Sequence, residues 1–470
     1  MHARYYWLFP AESLGWSFIH EASERSAESR CYSPLLEANT LGVRLIRQRT
    51  PPGPSQKEAA RTLPDLDLKI RFQENTSILS VRATKGTYAM NSNSTRRNFL
   101  AGSLAIPTVA AGEQNSKLEP RLLGKTELKV NPLGFGCMTT SDPAVIERAV
   151  DSGINYFDTA RSYQNGNNER MLGAALSAKR RNVIVSSKTP AQTKQAALAD
   201  LETSLRELRT DYLDIWYLHS RNTPEELNDG LFEAQDIAKK AGKIRFAGVS
   251  THLNMHRMLP YLVKLGRTDV VLTTYNFSMK PEVTSAVEVA RHAGMGIVAM
   301  KALAGGFSRI QRGDRLYGVQ PDALTATFQQ EGAFLAAIKW VLKNQSVDTA
   351  IVCMTDFDQL DENLRALSER YGPKEEKLLA AQLALVRPLY CRSCGACAGV
   401  CPKGVPVPDV LRILSYADGY GEFALARERF LELPMEQRNV RCGDCAECAV
   451  QCVEGVRVRE RLTRAQKLFA

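Results

Sequence analysis

No run of about 18 apolar residues occurs anywhere in the chain, so no segment is long enough to cross a bilayer as a helix. No block of basic residues interleaved with aromatics stands out either. Aromatics make up 7 % of the 470 residues, and although the formal charge is +10, Lys and Arg are spread along the whole length. That pattern excludes a nucleic-acid groove and reads as a solvated basic surface. A glycine-rich first turn is missing as well: Gly134-Phe135-Gly136 lacks the third glycine of a dinucleotide fingerprint, which makes a doubly wound sheet the runner-up fold. Cysteine is sparse through most of the chain. Cys31, Cys137 and Cys353 stand alone, and the other eight crowd between Cys391 and Cys452. A disulfide scaffold spreads its cysteines through a small secreted chain, which this is not.

Five regions follow. Residues 1–89 show little periodicity, and Thr50-Pro51-Pro52-Gly53-Pro54-Ser55 suits neither helix nor central strand, so a disordered or weakly structured extension is expected. Residues 90–118 begin Met90-Asn91-Ser92 and continue through Arg96-Arg97-Asn98-Phe99-Leu100 into a short apolar, small-residue run, Ala101 to Ala111. An arginine pair, a short apolar core and a small-residue end resemble a twin-arginine export signal. On this reading translation starts at Met90, residues 1–89 lie upstream of the native start, and the product is exported to the periplasm; the alternative is a cytoplasmic protein. Residues 119–372 alternate strand-like and helical runs, 373–390 form a connecting helix, and 391–470 hold the clustered cysteines.

Eight short apolar runs read as covered parallel strands: Lys129–Cys137, Ile154–Ala160, Asn182–Lys188, Tyr212–His219, Ile244–Ser250, Val270–Tyr275, Gly296–Ala302 and Thr349–Met354. Pro143 after Asp142 and Pro224 after Thr223 suit helix starts, and Ser152-Gly153 and Ala293-Gly294 suit helix ends. Eight strand–helix units in about 250 residues predict an α/β fold, a (β/α)8 barrel. In such a barrel the chemistry gathers where strands end. Asp158, Lys188 and His219 close the second, third and fourth runs, and Tyr163 follows the second. A phenol titrates near ~10 and is a weak acid at neutral pH. An adjacent Lys⁺ lowers it, a carboxylate holds the Lys, and a His orients a carbonyl. The candidate roles are Tyr163 as proton donor, Lys188 as its tuner, Asp158 as the Lys partner and His219 as substrate orienter.

These residues, with Leu133-Gly134-Phe135-Gly136, Phe157-Asp158-Thr159-Ala160, Ser162-Tyr163, Glu169, Leu172-Gly173, Ser187-Lys188, Leu218-His219 and Gly248-Val249-Ser250, resemble the aldo/keto reductase family in order and spacing over about 250 residues. The resemblance implies reversible hydride transfer between NAD(P)H and a small carbonyl or alcohol substrate. It places Ser250, Tyr275, Met300, Leu303, Gly305, Met354, Glu362 and Asn363 at the nucleotide. It also meets departures: Thr251 and Leu272 replace the usual amides, and Met300 stands where an aromatic often stacks. The basic pair for a 2′-phosphate aligns with Cys353 and Gln359, near Asp356 and Asp358, which favours NAD over NADP.

Cys391-x2-Cys394-x2-Cys397-x3-Cys401-Pro402 has the spacing of a bacterial [4Fe–4S] run, and Cys442-x2-Cys445-x2-Cys448-x3-Cys452 repeats it. In two-cluster ferredoxins the fourth Cys of each run serves the other cluster. The assignment is therefore Cys391, Cys394, Cys397 and Cys452 to one cluster, and Cys442, Cys445, Cys448 and Cys401 to the second, with zinc as the alternative. A helix-like stretch, Val407 to Leu431, lies between the runs and resembles the α-helical ferredoxin type. The combination suggests an oxidoreductase that passes electrons to a redox protein partner. A non-catalytic iron–sulfur subunit using the barrel as a docking scaffold is the other reading. Arg309, Arg312, Arg315 and Tyr317, in the long loop after the seventh run, either meet an anionic substrate or form a solvated face, the latter being favoured.

Overall fold

A computed structural model describes residues 68–71, 78–81, 119–307 and 319–470. The chain divides into two compact units, Met1–Pro107 and Thr108–Ala470. In the first, strands β1 (Leu68–Arg71) and β2 (Ile78–Val81) pair antiparallel, with Leu68 opposite Val81. Sequence reading anticipated no ladder there, although Leu68-Lys69-Ile70-Arg71 does alternate apolar and charged residues at the strand period of two. The export-signal reading, Met90 through Ala111, lies outside the described residues, as do Arg309, Arg312, Arg315 and Tyr317.

The second unit opens with a small hairpin, β3 (Arg121–Leu122) and β4 (Lys129–Val130). The expected first strand is thus split in two, because Pro132 has no N–H to continue a ladder. The hairpin plugs the barrel from below. Leu123, Leu128 and Val130 share a core with the inward-facing Tyr156, Ile215, Tyr217 and Val270. Gly124 has φ +56, and a Cβ there would lie 2.3 Å from the Gly296 nitrogen, so only glycine fits the plug against the barrel floor.

Eight parallel strands then close the barrel: β5 (Leu133–Gly136), β6 (Tyr156–Asp158), β7 (Ile184–Thr189), β8 (Leu213–Leu218), β9 (Ile244–Thr251), β10 (Val270–Thr274), β11 (Gly296–Met300) and β12 (Thr349–Cys353). Consecutive strands are neighbours, and β12 returns to β5 with Ala350 opposite Leu133. Between them run α1 (Pro143–Asp151), α2 (Asn167–Leu176), α3 (Lys194–Glu207), α4 (Asp229–Lys240), α5 (Met255–Leu265), α6 (Pro281–His292), α7 (Pro321–Phe328) and α8 (Ala333–Leu342). Then α9 (Phe357–Leu364) follows the last strand. Asp142 caps α1 as expected, accepting from the Ala144 N–H at 2.9 Å. Thr223 does not cap a helix. Pro224–Glu226 is a single 3₁₀ turn, and Asn228 caps α4 instead. A sheet covered on both sides explains the continuous apolar strands. Trp216, Leu218 and Val249 face the helices, and Tyr156, Ile215 and Tyr217 face inward.

The chain continues through α10 (Pro373–Val386), which packs on α8 and shares a core with Phe307, Leu324 and Phe328. Four helices follow: α11 (Val407–Asp418), α12 (Phe423–Leu431), α13 (Met435–Arg438) and α14 (Val458–Phe469). The expected single stretch from Val407 to Leu431 is two helices, because Gly421 adopts φ +76 and turns the chain. Leu411, Leu414, Phe430, Leu462 and Phe469 build a second core. Buried Asp418 accepts from Arg461 at 2.6 Å and from Arg464 at 2.8 Å, locking α11 to α14.

Gly124→Ala is expected to destabilise the barrel by about 2–5 kcal/mol, the sum of left-handed strain and overpacking. Thermal unfolding monitored by circular dichroism measures it.

Candidate active site

The upper, C-terminal ends of the barrel strands surround a cavity of about 660 Å³. Asp158 is the last residue of β6 and Lys188 the penultimate residue of β7, one place earlier than expected because Thr189 prolongs the strand. Both are essentially inaccessible, at 1 % each. Lys188 Nζ donates to Asp158 Oδ2 at 2.5 Å, to the Thr159 carbonyl at 2.7 Å and to Tyr163 Oη at 3.2 Å. Ser186 Oγ fills the second carboxylate oxygen at 2.7 Å. Tyr163 opens a 3₁₀ turn and presents its ring edge-on to His219, with centroids 6.1 Å apart. His219 follows β8 directly. Its backbone N–H bonds the Thr189 carbonyl at 2.9 Å. Asp158, Tyr163 and His219 therefore line one cavity, and Lys188 sits behind Tyr163, the four drawn from three strand ends. Behind them, buried Glu169 accepts from Ser187 Oγ at 2.6 Å and pairs with Arg161, fixing the Tyr163 turn.

Burial pushes the Tyr163 phenol well up, and the Asp158 charge adds to it. Tyr163 therefore holds its proton at neutral pH. Burial likewise raises Asp158, opposed by Lys188 and the Ser186 hydroxyl. Burial first, and then Lys188, Arg412 and Arg429, hold His219 well below the usual imidazole range. A neutral His219 offers a substrate oxygen one N–H without a charge.

The residues assigned to the nucleotide divide. Met300, Leu303, Glu362 and Asn363 line the cavity, as do Cys353 and Gln359. Ser250, Tyr275, Gly305 and Met354 are not in its wall. The Ser250 hydroxyl accepts from the Ser220 N–H at 2.8 Å. Tyr275 packs its ring on Trp340 and bonds Asn344 at 2.9 Å, so it serves the barrel–helix layer. Met354 is fully buried in that same layer. Gly305, at φ +92, gives its carbonyl side to Gly419 of the C-terminal helices, where a Cβ would come within 2.0 Å of the oxygen.

That last contact was invisible in the sequence. The C-terminal helices roof the cavity, supplying Arg412, Tyr416 and Tyr420 from α11 and its end and Arg429 from α12. Arg429 Nη2 bonds the Ser162 carbonyl at 2.6 Å, next to Tyr163. Arg412 Nη1 and Lys301 Nζ donate to Tyr416 Oη at 3.0 and 3.4 Å. Against burial, which alone raises it, Lys301 and Arg412 bring the Tyr416 phenol down to about 7. His252 also lines the cavity, 6.2 Å from the His219 ring. Only Lys301, beside Met300, and His252, two residues past Ser250, sat near positions the strand pattern could flag.

The clustered cysteines lie beside this roof. None of the ten described cysteines is disulfide-bonded. Burial raises Cys391 to about 12 and Cys397 to about 11, and Cys394 and Cys452 push both further. Cys442, raised by burial to about 11, answers instead to Cys401, Cys445 and Cys448. Burial apart, Cys391 feels Cys397, Cys394 and Cys452, and Cys442 feels Cys401, Cys445 and Cys448. Among the described residues no three His, Cys, Asp or Glu close around a metal ion. The first quartet rests on the barrel rim. The Ser393 carbonyl accepts from the Asn254 N–H at 2.9 Å, and Glu454, two residues after Cys452, pairs with Lys280 at 2.5 Å and Arg392 at 3.0 Å.

Residues 132–381 match the aldo/keto reductase family, more than half of the chain. The chain belongs to the aldo/keto reductase family. An uncharacterised oxidoreductase of Bacillus subtilis, YqkF, is 25 % identical over 296 residues, which is 55 % of this chain and 94 % of that protein. L-galactose dehydrogenase of Arabidopsis thaliana is 26 % identical over 285 residues, 54 % of this chain and 89 % of its own. Among solved structures, the holo form of the aldo-keto reductase AKR11C1 from Bacillus halodurans is 24 % identical, with a TM-score of 0.48, over 59 % of this chain and 98 % of that one. On the family match, the barrel with its cavity is that of an aldo/keto reductase oxidoreductase. Each of the three relatives leaves more than two-fifths of this chain uncovered.

In this aldo/keto reductase, His219 and His252 are expected to remain neutral as pH falls through 6.5, the ordinary imidazole value. Their folded pKa is depressed, so the stability they contribute is present above the unfolded value and is lost progressively as pH falls from that value through the lower folded one. Histidine NMR titration resolves this directly: two of the six imidazoles should show no protonation shift around neutrality.

Proposed function

We propose that this enzyme transfers hydride between NAD(P)H and a carbonyl or alcohol substrate at the Tyr163 wall, and that its C-terminal residues hold two [4Fe–4S] clusters. The observation that carries the first part is the continuous chain Asp158–Lys188–Tyr163, with a neutral His219 facing the same space. When bound, the nicotinamide supplies or accepts the hydride. The protein's own residues do the rest. His219 donates a hydrogen bond that aligns the carbonyl oxygen. Tyr163 Oη delivers its proton to that oxygen as negative charge develops, and Lys188 at 3.2 Å stabilises the phenolate left behind. Asp158 keeps Lys188 charged and fixed throughout. In the oxidative direction Tyr163 takes the proton back. The roof excludes water, which strengthens each of these interactions.

Met300, Leu303, Glu362 and Asn363 lie where a nucleotide would run along the barrel rim. Gln359 bonds Thr355 and Asp356 there and offers no positive charge for a 2′-phosphate, which supports NAD over NADP. Cys391, Cys394, Cys397 and Cys452 would hold one cluster and Cys442, Cys445, Cys448 and Cys401 the other. Such clusters carry single electrons and suit exchange with a redox protein partner. The free, grouped thiols support this reading, and the first quartet's seat on the barrel rim favours communication with the site.

Tyr163→Phe is expected to lower carbonyl turnover by about 10²–10⁴-fold, the usual worth of a positioned proton donor, while leaving cluster absorbance unchanged. Anaerobic reconstitution is expected to yield about eight irons and eight sulfides per chain, four in each of two clusters. Titration of that protein with NADH or NADPH, following cluster bleaching, then tests the link between the two parts. Zinc in place of iron, or bleaching unaffected by either nucleotide, counts against it.

A further inference from the structure

Two cations in the cavity have no part in the proton chemistry. Lys301 follows the last residue of β11, and Arg412 reaches across from α11. Tyr416, 4 % exposed, holds them together through its oxygen, and Lys301 Nζ also lies 4.8 Å from the Tyr416 ring centroid. Arg412 has a second bond, Nη2 to Asp409 Oδ1 at 2.9 Å. A guanidinium has about five N–H donors and an ammonium about three. Two bonds occupy Arg412 and one occupies Lys301, so most of their donors are left for a ligand. The Arg412 side chain is 26 % exposed, so its fork is reachable.

Of the acidic groups at or beside this cavity, Glu362 lies on the barrel rim, and Asp409 meets Arg412 from its own helix. Asp158 is held by Lys188 and Glu432 by Arg429, and Glu422 has a partner of its own. No carboxylate pairs with Lys301 among the described residues. The resulting positive field reaches the tetrad: beyond burial, Arg412 disfavours charge on His219, and Lys301 and Arg412 disfavour it on His252. His252 Nδ1 is buried with no hydrogen-bond partner. Free guanidinium and ammonium donors beside a carbonyl-orienting imidazole are the chemistry that recognises an oxyanion.

We propose that Arg412 and Lys301 bind the anionic group of the substrate, a carboxylate or phosphate carried next to the carbonyl that Tyr163 and His219 address. The proposal rests on reading that wall as the carbonyl site. It makes the C-terminal helices part of substrate recognition: Arg412 comes from α11 and Tyr416 positions both cations.

The test uses the full-length, cluster-reconstituted chain and two matched pairs of aldehydes. These are 4-oxobutanoate against butanal for the carboxylate arm, and glyceraldehyde 3-phosphate against glyceraldehyde for the phosphate arm. In one pair the anionic member is expected to have a kcat/KM at least about tenfold higher. Lys301→Met and Arg412→Met are each expected to lower that ratio about tenfold, and Lys301→Arg to restore most of it. Calorimetric titration with oxalate and inorganic phosphate, without nucleotide, is a second readout that needs no turnover. Binding should be present in the parent and lost in both Met variants. Equal kcat/KM within both pairs overturns the proposal, as does anion binding that survives both substitutions. Anion binding that NADH or NADPH displaces competitively overturns it too, because the cations then serve the nucleotide's own phosphates. If neither member of either pair is turned over, the carbonyl reading itself has failed; anions that still bind through Arg412 and Lys301 would then mark a site that is not a substrate site.

Discussion

The buried ion pair between Lys188 and Asp158 is the constraint on which the site depends. Two opposite charges at 1 % exposure are costly to desolvate, and removing one partner typically costs about 3–5 kcal/mol by stranding the other. The pair persists because adjacent parallel strands deliver both groups to one end of the barrel with their remaining valences met: Ser186 for the carboxylate, Thr159 and Tyr163 for the ammonium. The β6–β7 register, with Asp158 opposite Ser186, makes this possible. A slip of one residue would turn Lys188 to the other face of the sheet. The barrel's inner packing, including the Tyr156–Tyr217 hydroxyl contact at 2.8 Å and the glycine-tight plug beneath it, fixes that register. Site chemistry and barrel stability are therefore one problem.

The ion pair also decides what Tyr163 is. Had Lys188 stood alone, its charge would have made the phenol more acidic. Asp158 lies nearer to Lys188 than Tyr163 does, and burial is the largest influence on the phenol. Tyr163 therefore holds its proton until a developing negative charge draws it out. Lys188 then becomes important late, when phenolate forms and the short N–H···O contact gains strength in a dry cavity. Tyr416 is the contrasting case. It faces two cations, Lys301 and Arg412, both of which donate to its oxygen, and its phenol is displaced downward despite burial.

Much of the barrel was legible because continuous apolar runs of strand length are local properties. Seven of the strand-like runs moved by no more than two residues at either end, and the first was split by Pro132, a break that proline chemistry itself explains. The tetrad was legible because strand ends in a barrel converge. Of the residues the resemblance assigns to the nucleotide, Met300, Leu303, Glu362 and Asn363 line the cavity. Tyr275 and Met354 each sit one place past a strand end, and the sequence does not say which way such a residue turns. Tyr275 packs on Trp340, and Met354 joins the core between strands and helices. The roof was not legible at all. Arg412, Tyr416 and Gly419 lie on what reads as an ordinary amphipathic helix, and their use depends on a contact with Gly305 more than a hundred residues away.

That long-range contact explains why the C-terminal helices belong to the enzyme rather than trailing behind it. Gly419 meets the Gly305 carbonyl with no space for a side chain, Arg429 bonds the residue before Tyr163, and Glu454 is clasped by Lys280 on the barrel and Arg392 beside the first quartet. Three separate attachments hold α11 and α12 at a fixed height over the strand ends. A polar group placed by such a frame needs little reorganisation when substrate charge develops, and this is where electrostatic stabilisation gains its size. The same frame constrains the cysteines. Ser393 and Glu454 tie the first quartet to the barrel, and Gly419 and Arg429 tie the roof to it, so the quartet and the roof are positioned by the same barrel rim.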